Sequence, residues 1–84
     1  MITGLVQGVF FRAQTREVAM SHGVCGWVRN RDDGAVEALL EGEDRAVMEV
    51  VRWCHKGPPS ANVADVAVSW HDATDRYDDF RVLT

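Results

Sequence analysis

Gly4-Leu5-Val6-Gln7-Gly8-Val9-Phe10-Phe11-Arg12 is the stretch from which both fold and chemistry are read. Two glycines bracket Leu5-Val6-Gln7, so the backbone can take dihedrals closed to other residues and aim successive N–H groups at one point, a geometry that attracts an anion. From Phe10 onward the residues are apolar and helix-compatible, which places Arg12 in a first helical turn. Unpaired N–H groups and the positive end of the helix dipole favour negative charge there. Arg12 adds a permanent charge and a fork of donors that matches a phosphate. A glycine loop between a strand and a helix is also an ordinary turn, and short glycine motifs have a high false-positive rate. Neither the Walker pattern, with its Gly-Lys-Ser/Thr ending, nor the three-glycine dinucleotide pattern is present.

Outward from this loop, Phe11, Thr15, Val18, Ala19 and His22 fall at helical spacing, and Gly23 stands where a left-handed cap ends a helix, so a first helix is expected over residues 11–22. Val24 to Asn30 reads as a strand with Cys25 and Trp27 on one face and Gly26 and Val28 on the other. Asn30-Arg31-Asp32-Asp33-Gly34 is a hairpin turn, and Ala35 to Glu41 returns as the partner strand, with Val36, Ala38 and Leu40 opposite Glu37 and Glu41. Glu43 and Asp44 complement the start of a second helix whose apolar stripe is Ala46, Val47, Val50, Val51 and Cys54, and Gly57-Pro58-Pro59 stops it. Val63 to Trp70 is a further strand by the alternation of Val66, Val68 and Trp70, and Phe80 to Leu83 a short last one.

That order is two split β-α-β units, which gives an α+β, ferredoxin-like β-α-β-β-α-β sandwich: an antiparallel sheet with both helices on one face. Only Met1-Ile2-Thr3 precedes the loop, against a usual strand of about 5 to 6 residues, so the first strand is expected to be shortened.

Eighty-four residues make one small domain, 1–84, with room for one sheet and one helical layer. A composition 46% hydrophobic and 26% charged excludes the disordered classes. The formal charge of −4 and pI near 5.2 leave no basic patch for nucleic acid, whereas a small anion needs only one arginine and a few aimed amides. No run reaches the roughly 20 apolar residues that span a bilayer, and no basic-then-apolar leader precedes the loop, so a cytoplasmic protein without a membrane partner is expected. Cys25 and Cys54 are too few for a ligand cluster and are expected to be reduced core thiols. A monomer is expected.

A second constellation runs Gly26-Trp27-Val28-Arg29-Asn30, three residues, Gly34-Ala35-Val36, five residues, Gly42. With it, the chain resembles the acylphosphatase family. Gly4 through Arg12 matches that family's pattern of Gly, any residue, Val-Gln-Gly-Val, any residue, an aromatic and Arg. Gly26 to Gly42 matches its second pattern, and Gly57-Pro58-Pro59-Ser60-Ala61 is similar to its usual exit from the second helix. The resemblance implies hydrolysis of the carboxyl–phosphate bond of small acyl phosphates to a carboxylate and inorganic phosphate, without metal or cofactor. Acetyl phosphate, carbamoyl phosphate and 1,3-bisphosphoglycerate are the substrates it implies. By the same resemblance Arg12 binds the phosphoryl group and Asn30 positions the attacking water.

The residue chemistry agrees. Phosphoryl transfer spreads charge over equatorial oxygens, so fixed donors and an oriented nucleophile supply most of the catalysis. Backbone amides of Gln7, Gly8, Val9, Phe10, Phe11 and Arg12, with the Arg12 guanidinium, are such donors. Asn30 does not titrate, so it can orient a water but cannot take its proton; the substrate's own phosphate oxygens can. The alternative reading is a non-catalytic or fused-type module of the same kind that binds carbamoyl phosphate or another anion. Asp32 and Asp33 read as solvated turn residues rather than bases. His22, His55 and His71 have no metal-ligand spacing, and Asp72, Asp75, Asp78 and Asp79 lack the glycine and glutamate of a calcium loop. Trp27, Trp53 and Trp70 are not accompanied by an RNA-binding consensus.

Overall fold

The computed structural model describes residues 1–71 and 77–83. The elements in chain order are β1 (Ile2–Leu5), α1 (Phe11–Ser21), β2 (Cys25–Asn30), β3 (Val36–Glu41), α2 (Asp44–Lys56), β4 (Asn62–Val66) and β5 (Phe80–Val82). One five-stranded sheet has the order β4-β1-β3-β2-β5.

The first four strands in chain order pair antiparallel, as a double split β-α-β unit requires. The fifth corrects the expectation of a wholly antiparallel sheet: β5 pairs with β2 in parallel, through Gly26↔Phe80, Trp27↔Arg81 and Val28↔Val82. The chain leaves β4 at one edge and reaches the opposite edge only after residues 67–79. Such a crossover, unlike a tight hairpin, can deliver a strand in the parallel sense.

In the β2–β3 ladder Val28 faces Ala38, Gly26 faces Leu40 and Asn30 faces Val36. Opposed residues share a face, so Asn30 lies on the same, helix-covered side as the fully buried Val28 and Val36. On that side Ile2, Val28, Val36 and Phe80 meet Phe11 and Ala19 of α1 and Val47, Val50 and Cys54 of α2 in one core. The helices touch at Phe11 and Trp53, whose ring centroids are 5.3 Å apart. Trp53 is thereby part of the helix packing, Trp27 lies beneath Arg29 at 5.6 Å, and Trp70 is exposed, so the three tryptophans form no common platform.

α1 ends in a Schellman arrangement, with Gly23 N–H donating to Met20 O at 3.2 Å and Val24 N–H to Ala19 O at 2.8 Å. His22, expected on the apolar face, is exposed. Its Nδ1 lies 2.9 Å from Val18 O, because the chain is already turning out of the helix at this point.

β1 runs through Gly4 to Leu5, further than expected, because Gly4 forms a bulge against β4 at φ 121°. A Cβ at Gly4 would collide with the Asn62 carbonyl, so only glycine allows the two backbones to approach this closely. The strand still has four residues and meets β3 at the single pair Ile2↔Val36. β4 is shorter than the expected 63–70 strand. Its ladder with β1 ends where Met1 and Ala67 exchange bonds of 2.8 and 2.9 Å, and beyond it Val68 and Trp70 are exposed despite their alternation. A trough of about 690 Å³ lies between β3 and residues 66–71, lined by Leu40, Val47, Val51, Cys54, Val66 and Trp70 among others.

Candidate active site

The loop that leaves β1 is anchored by Val6, which is 1% exposed, and passes to α1 through two residues of positive φ, Gly8 at 74° and Phe10 at 63°. Left-handed residues on either side of Val9 turn the peptide planes so that neighbouring N–H groups converge, the arrangement of an anion nest. Gly8 adopts this conformation without strain, whereas Phe10 does so against its own Cβ. α1 begins at Phe11 with no side-chain cap and no acidic residue in its first turn, unlike α2, which carries Asp44 there. Its first bond, Gln14 N–H to Phe10 O at 3.1 Å, leaves the amides of the first turn directed outward from the helix end.

Val6, Gly8, Phe10, Phe11, Arg12, Ala13, Asn30 and Val82 line a cleft of about 280 Å³ at this point. Gly8, Phe10, Phe11, Arg12 and Asn30 are thus brought together, and none of the lining residues is acidic. Val9 packs its side chain on the core and Gln7 sends its own to the hairpin, and neither of these two expected residues lines the cleft. Val6, Ala13 and Val82 were not anticipated. Val82 carries no local signal, since it arrives from the far end of the chain on the parallel strand.

Arg12 does not stand free. Its Nη1 donates to Leu83 O at 3.2 Å, and Leu83 N–H donates to Val28 O at 2.8 Å, so the residue after β5 connects the guanidinium to the centre of β2. Asn30 closes the other side of the cleft. Its Oδ1 is buried and has no hydrogen-bond partner among the described residues. A buried carboxamide oxygen is a strong acceptor, and leaving it unpaired costs about 1–3 kcal/mol. Asn30 shares the cleft with Arg12 and the start of α1.

The hairpin that carries Asn30 is held from two directions. Asp33 accepts the Ala35 N–H at 3.1 Å and bonds Arg31 at 3.1 Å, and these contacts, the Ala35 N–H first, hold its carboxyl below the usual range. A carboxylate stabilised in its charged form, exposed at the turn, is a poor base. From the loop side, Gln7 Nε2 donates to Arg31 O at 2.7 Å and Ala35 O at 3.0 Å. His22, His55 and His71 are all exposed, and His55 Nδ1 lies 3.0 Å from Val51 O. No group of three or more His, Cys, Asp or Glu among the described residues is placed to hold a metal ion. Asp72 and Asp75 lie outside the described residues, while Asp79 pairs with Arg81 at 3.1 Å. Cys25 and Cys54 are both free thiols. No helix is long and apolar enough to cross a membrane, among the described residues.

The acylphosphatase family profile matches residues 1–82. The chain belongs to the acylphosphatase family. It is 48% identical over 82 residues to an acylphosphatase of Pelotomaculum thermopropionicum, an alignment covering 98% of this chain and 89% of the relative. The crystal structure of an acylphosphatase from Bacillus subtilis superposes with a TM-score of 0.95 at 35% identity, covering 99% of this chain and 92% of that one. A full-length HypF structure aligns at 26% identity and a TM-score of 0.83, with 99% of this chain but only 11% of that chain covered. The ferredoxin-like α+β arrangement is therefore that of acylphosphatases.

Proposed function

We propose that the chain hydrolyses small acyl phosphates in the cleft between the 7–12 loop and the end of β2, as a single domain in which every site residue comes from one chain. Amides of Gln7 to Arg12 and the Arg12 guanidinium receive the phosphoryl oxygens. The Asn30 carboxamide orients the water that attacks phosphorus in line with the leaving carboxylate. The new bond joins the water oxygen to phosphorus, the bond to the acyl oxygen breaks, and its electron pair leaves on the carboxylate. The water's proton passes to a phosphate oxygen of the substrate, since Asn30 has no basic site to receive it. Donors fixed before reaction need not reorganise as charge develops, and loss of one costs about 10²–10³ in rate.

The observation that carries this reading is the meeting of Arg12, Asn30 and the uncapped start of α1 in one cleft that has no acidic lining residue. Family membership supports the reaction. The fused-module alternative is not favoured: the 48% identity to the acylphosphatase of Pelotomaculum exceeds the 26% to HypF. A charge of −4 argues against a nucleic-acid partner, and two free thiols fit a reducing, cytoplasmic location. The reaction is tested by phosphate release from acetyl phosphate in the presence of EDTA. Steady turnover is expected, and turnover abolished by the chelator would overturn the metal-independent mechanism.

A further inference from the structure

The loop and the hairpin each contribute one half of the site. Gln7 joins them from behind. Its two amide protons meet the carbonyls of Arg31 and Ala35 at 2.7 and 3.0 Å. Those are the groups on which the turn closes, since Arg31 N–H donates to Ala35 O at 2.8 Å and Gly34 N–H donates to Arg31 O at 3.2 Å. Arg31 directly follows Asn30, and Ala35 directly precedes Val36, which faces Asn30 across the ladder. One carboxamide therefore joins the backbone of the anion cradle to the hairpin at the end of β2 and at the start of β3, next to Asn30 and to its facing residue Val36.

We propose that Gln7 is a positioning residue for the hydrolytic step: through Arg31 and Ala35 it sets where the Asn30 carboxamide stands relative to the phosphoryl group bound by the loop. The inference rests on the roles assigned above to Arg12 and Asn30. In-line attack tolerates little error, and a misplacement of about 1 Å costs on the order of 10²-fold in rate. Anion binding has no such dependence on Asn30, because the cradle is made by the backbone of residues 7–12 and by Arg12. Losing the Gln7 donor therefore lowers kcat while leaving phosphate affinity in place.

Gln7→Met keeps the length and volume of the side chain and removes both donors. The expected result is a fall in kcat of roughly 10-fold or more, with competitive inhibition by inorganic phosphate unchanged within about 2-fold. In an Asn30→Ala background the same substitution is expected to lower kcat by less than about 2-fold, because residues acting as a unit are not additive. Wild-type kcat in Gln7→Met, a parallel loss of phosphate inhibition, or a full multiplicative loss in the Asn30→Ala background would each overturn the proposal. Full kcat in Asn30→Ala alone would remove the site reading beneath it. Should Gln7→Met fail to fold, Gln7→Glu answers the same question. Its carboxylate repels the two carbonyls, and protonation, favoured there over that of a free glutamate, restores one donor, so its kcat deficit relative to wild type is expected to narrow as pH falls. A deficit independent of pH would overturn the proposal.

Discussion

The Arg12 guanidinium is bonded to the carbonyl of Leu83, Nη1 to oxygen at 3.2 Å. Residues separated by almost the whole chain thus share one bond, because β5 lies beside β2 in parallel and brings Leu83 to the mouth of the cleft. One end of the fork is held by the protein and the other nitrogens are left to face an anion. A side chain with several rotatable bonds is pre-ordered in this way before substrate arrives.

Arg12→Lys follows from that geometry. Lysine keeps the charge but is a point donor and cannot serve Leu83 and a phosphate in one plane. The expected outcome is a folded protein, by circular dichroism, whose kcat/KM for acetyl phosphate falls roughly 10²-fold. Activity within a few-fold of wild type would mean that charge alone suffices.

Phe10 offers a test of strain. It is 76% exposed and holds φ at 63°, a conformation that costs a non-glycine residue about 1–2 kcal/mol. Phe10→Gly removes that strain and little buried surface, while glycine's extra freedom when unfolded returns about 0.5–1 kcal/mol of the gain. A net stabilisation of about 0.5 kcal/mol is expected in urea unfolding. A loss greater than about 1 kcal/mol would show that the ring supports the loop, as packing and not strain then dominates.

Cys54 is 3% exposed, and burial pushes its thiol up to about 12. The thiolate is the reactive form, so Cys54 is expected to resist thiol reagents at pH 8 in the folded protein and to label on unfolding. Because the unfolded thiol ionises near 8.5 and the folded one does not, the unfolded state binds fewer protons above that pH. This contribution to stability is complete below about 8.5 and is lost as pH rises toward 12. Rapid labelling of Cys54 without unfolding would contradict the packing described.

The trough beside β3 makes a prediction about β1. Adding four or five residues of alternating apolar character ahead of Met1 would continue β1 antiparallel to both β3 and residues 67–71. It would place apolar side chains over Val47, Val51 and Cys54, which line the trough. Each new ladder bond contributes about 1 kcal/mol, so the urea midpoint should rise clearly. An unchanged midpoint would show that the trough does not receive a strand.

The extent to which the molecule could be read from its sequence follows from how local each signal is. The order of strands and helices, the hairpin at Asn30–Gly34 and the ends of α1 and α2 are written in spacing and in Gly and Pro, and the helix and β2–β3 boundaries match within a residue or two. The parallel sense of β5 was not legible, since nothing near Phe80 says which edge it will join. β4 read too long because Val68 and Trp70 keep the alternation after the partner strand has ended. In the site, Gly8, Phe10 to Arg12 and Asn30 stood out as motif residues. The acceptors of Gln7 are backbone carbonyls, which have no identity in a sequence, and Val82 and Leu83 reach the cleft only through tertiary pairing.

The division of labour between Arg12 and Asn30 is the central claim, and it is tested most directly by measuring kcat and the inhibition constant for inorganic phosphate together in Asn30→Ala. The account predicts a folded protein in which kcat falls roughly 10²-fold or more while phosphate inhibition stays within about 2-fold, because the cradle is intact and only the water has lost the carboxamide that orients it. Wild-type kcat in that variant, or phosphate inhibition lost along with it, would contradict the account.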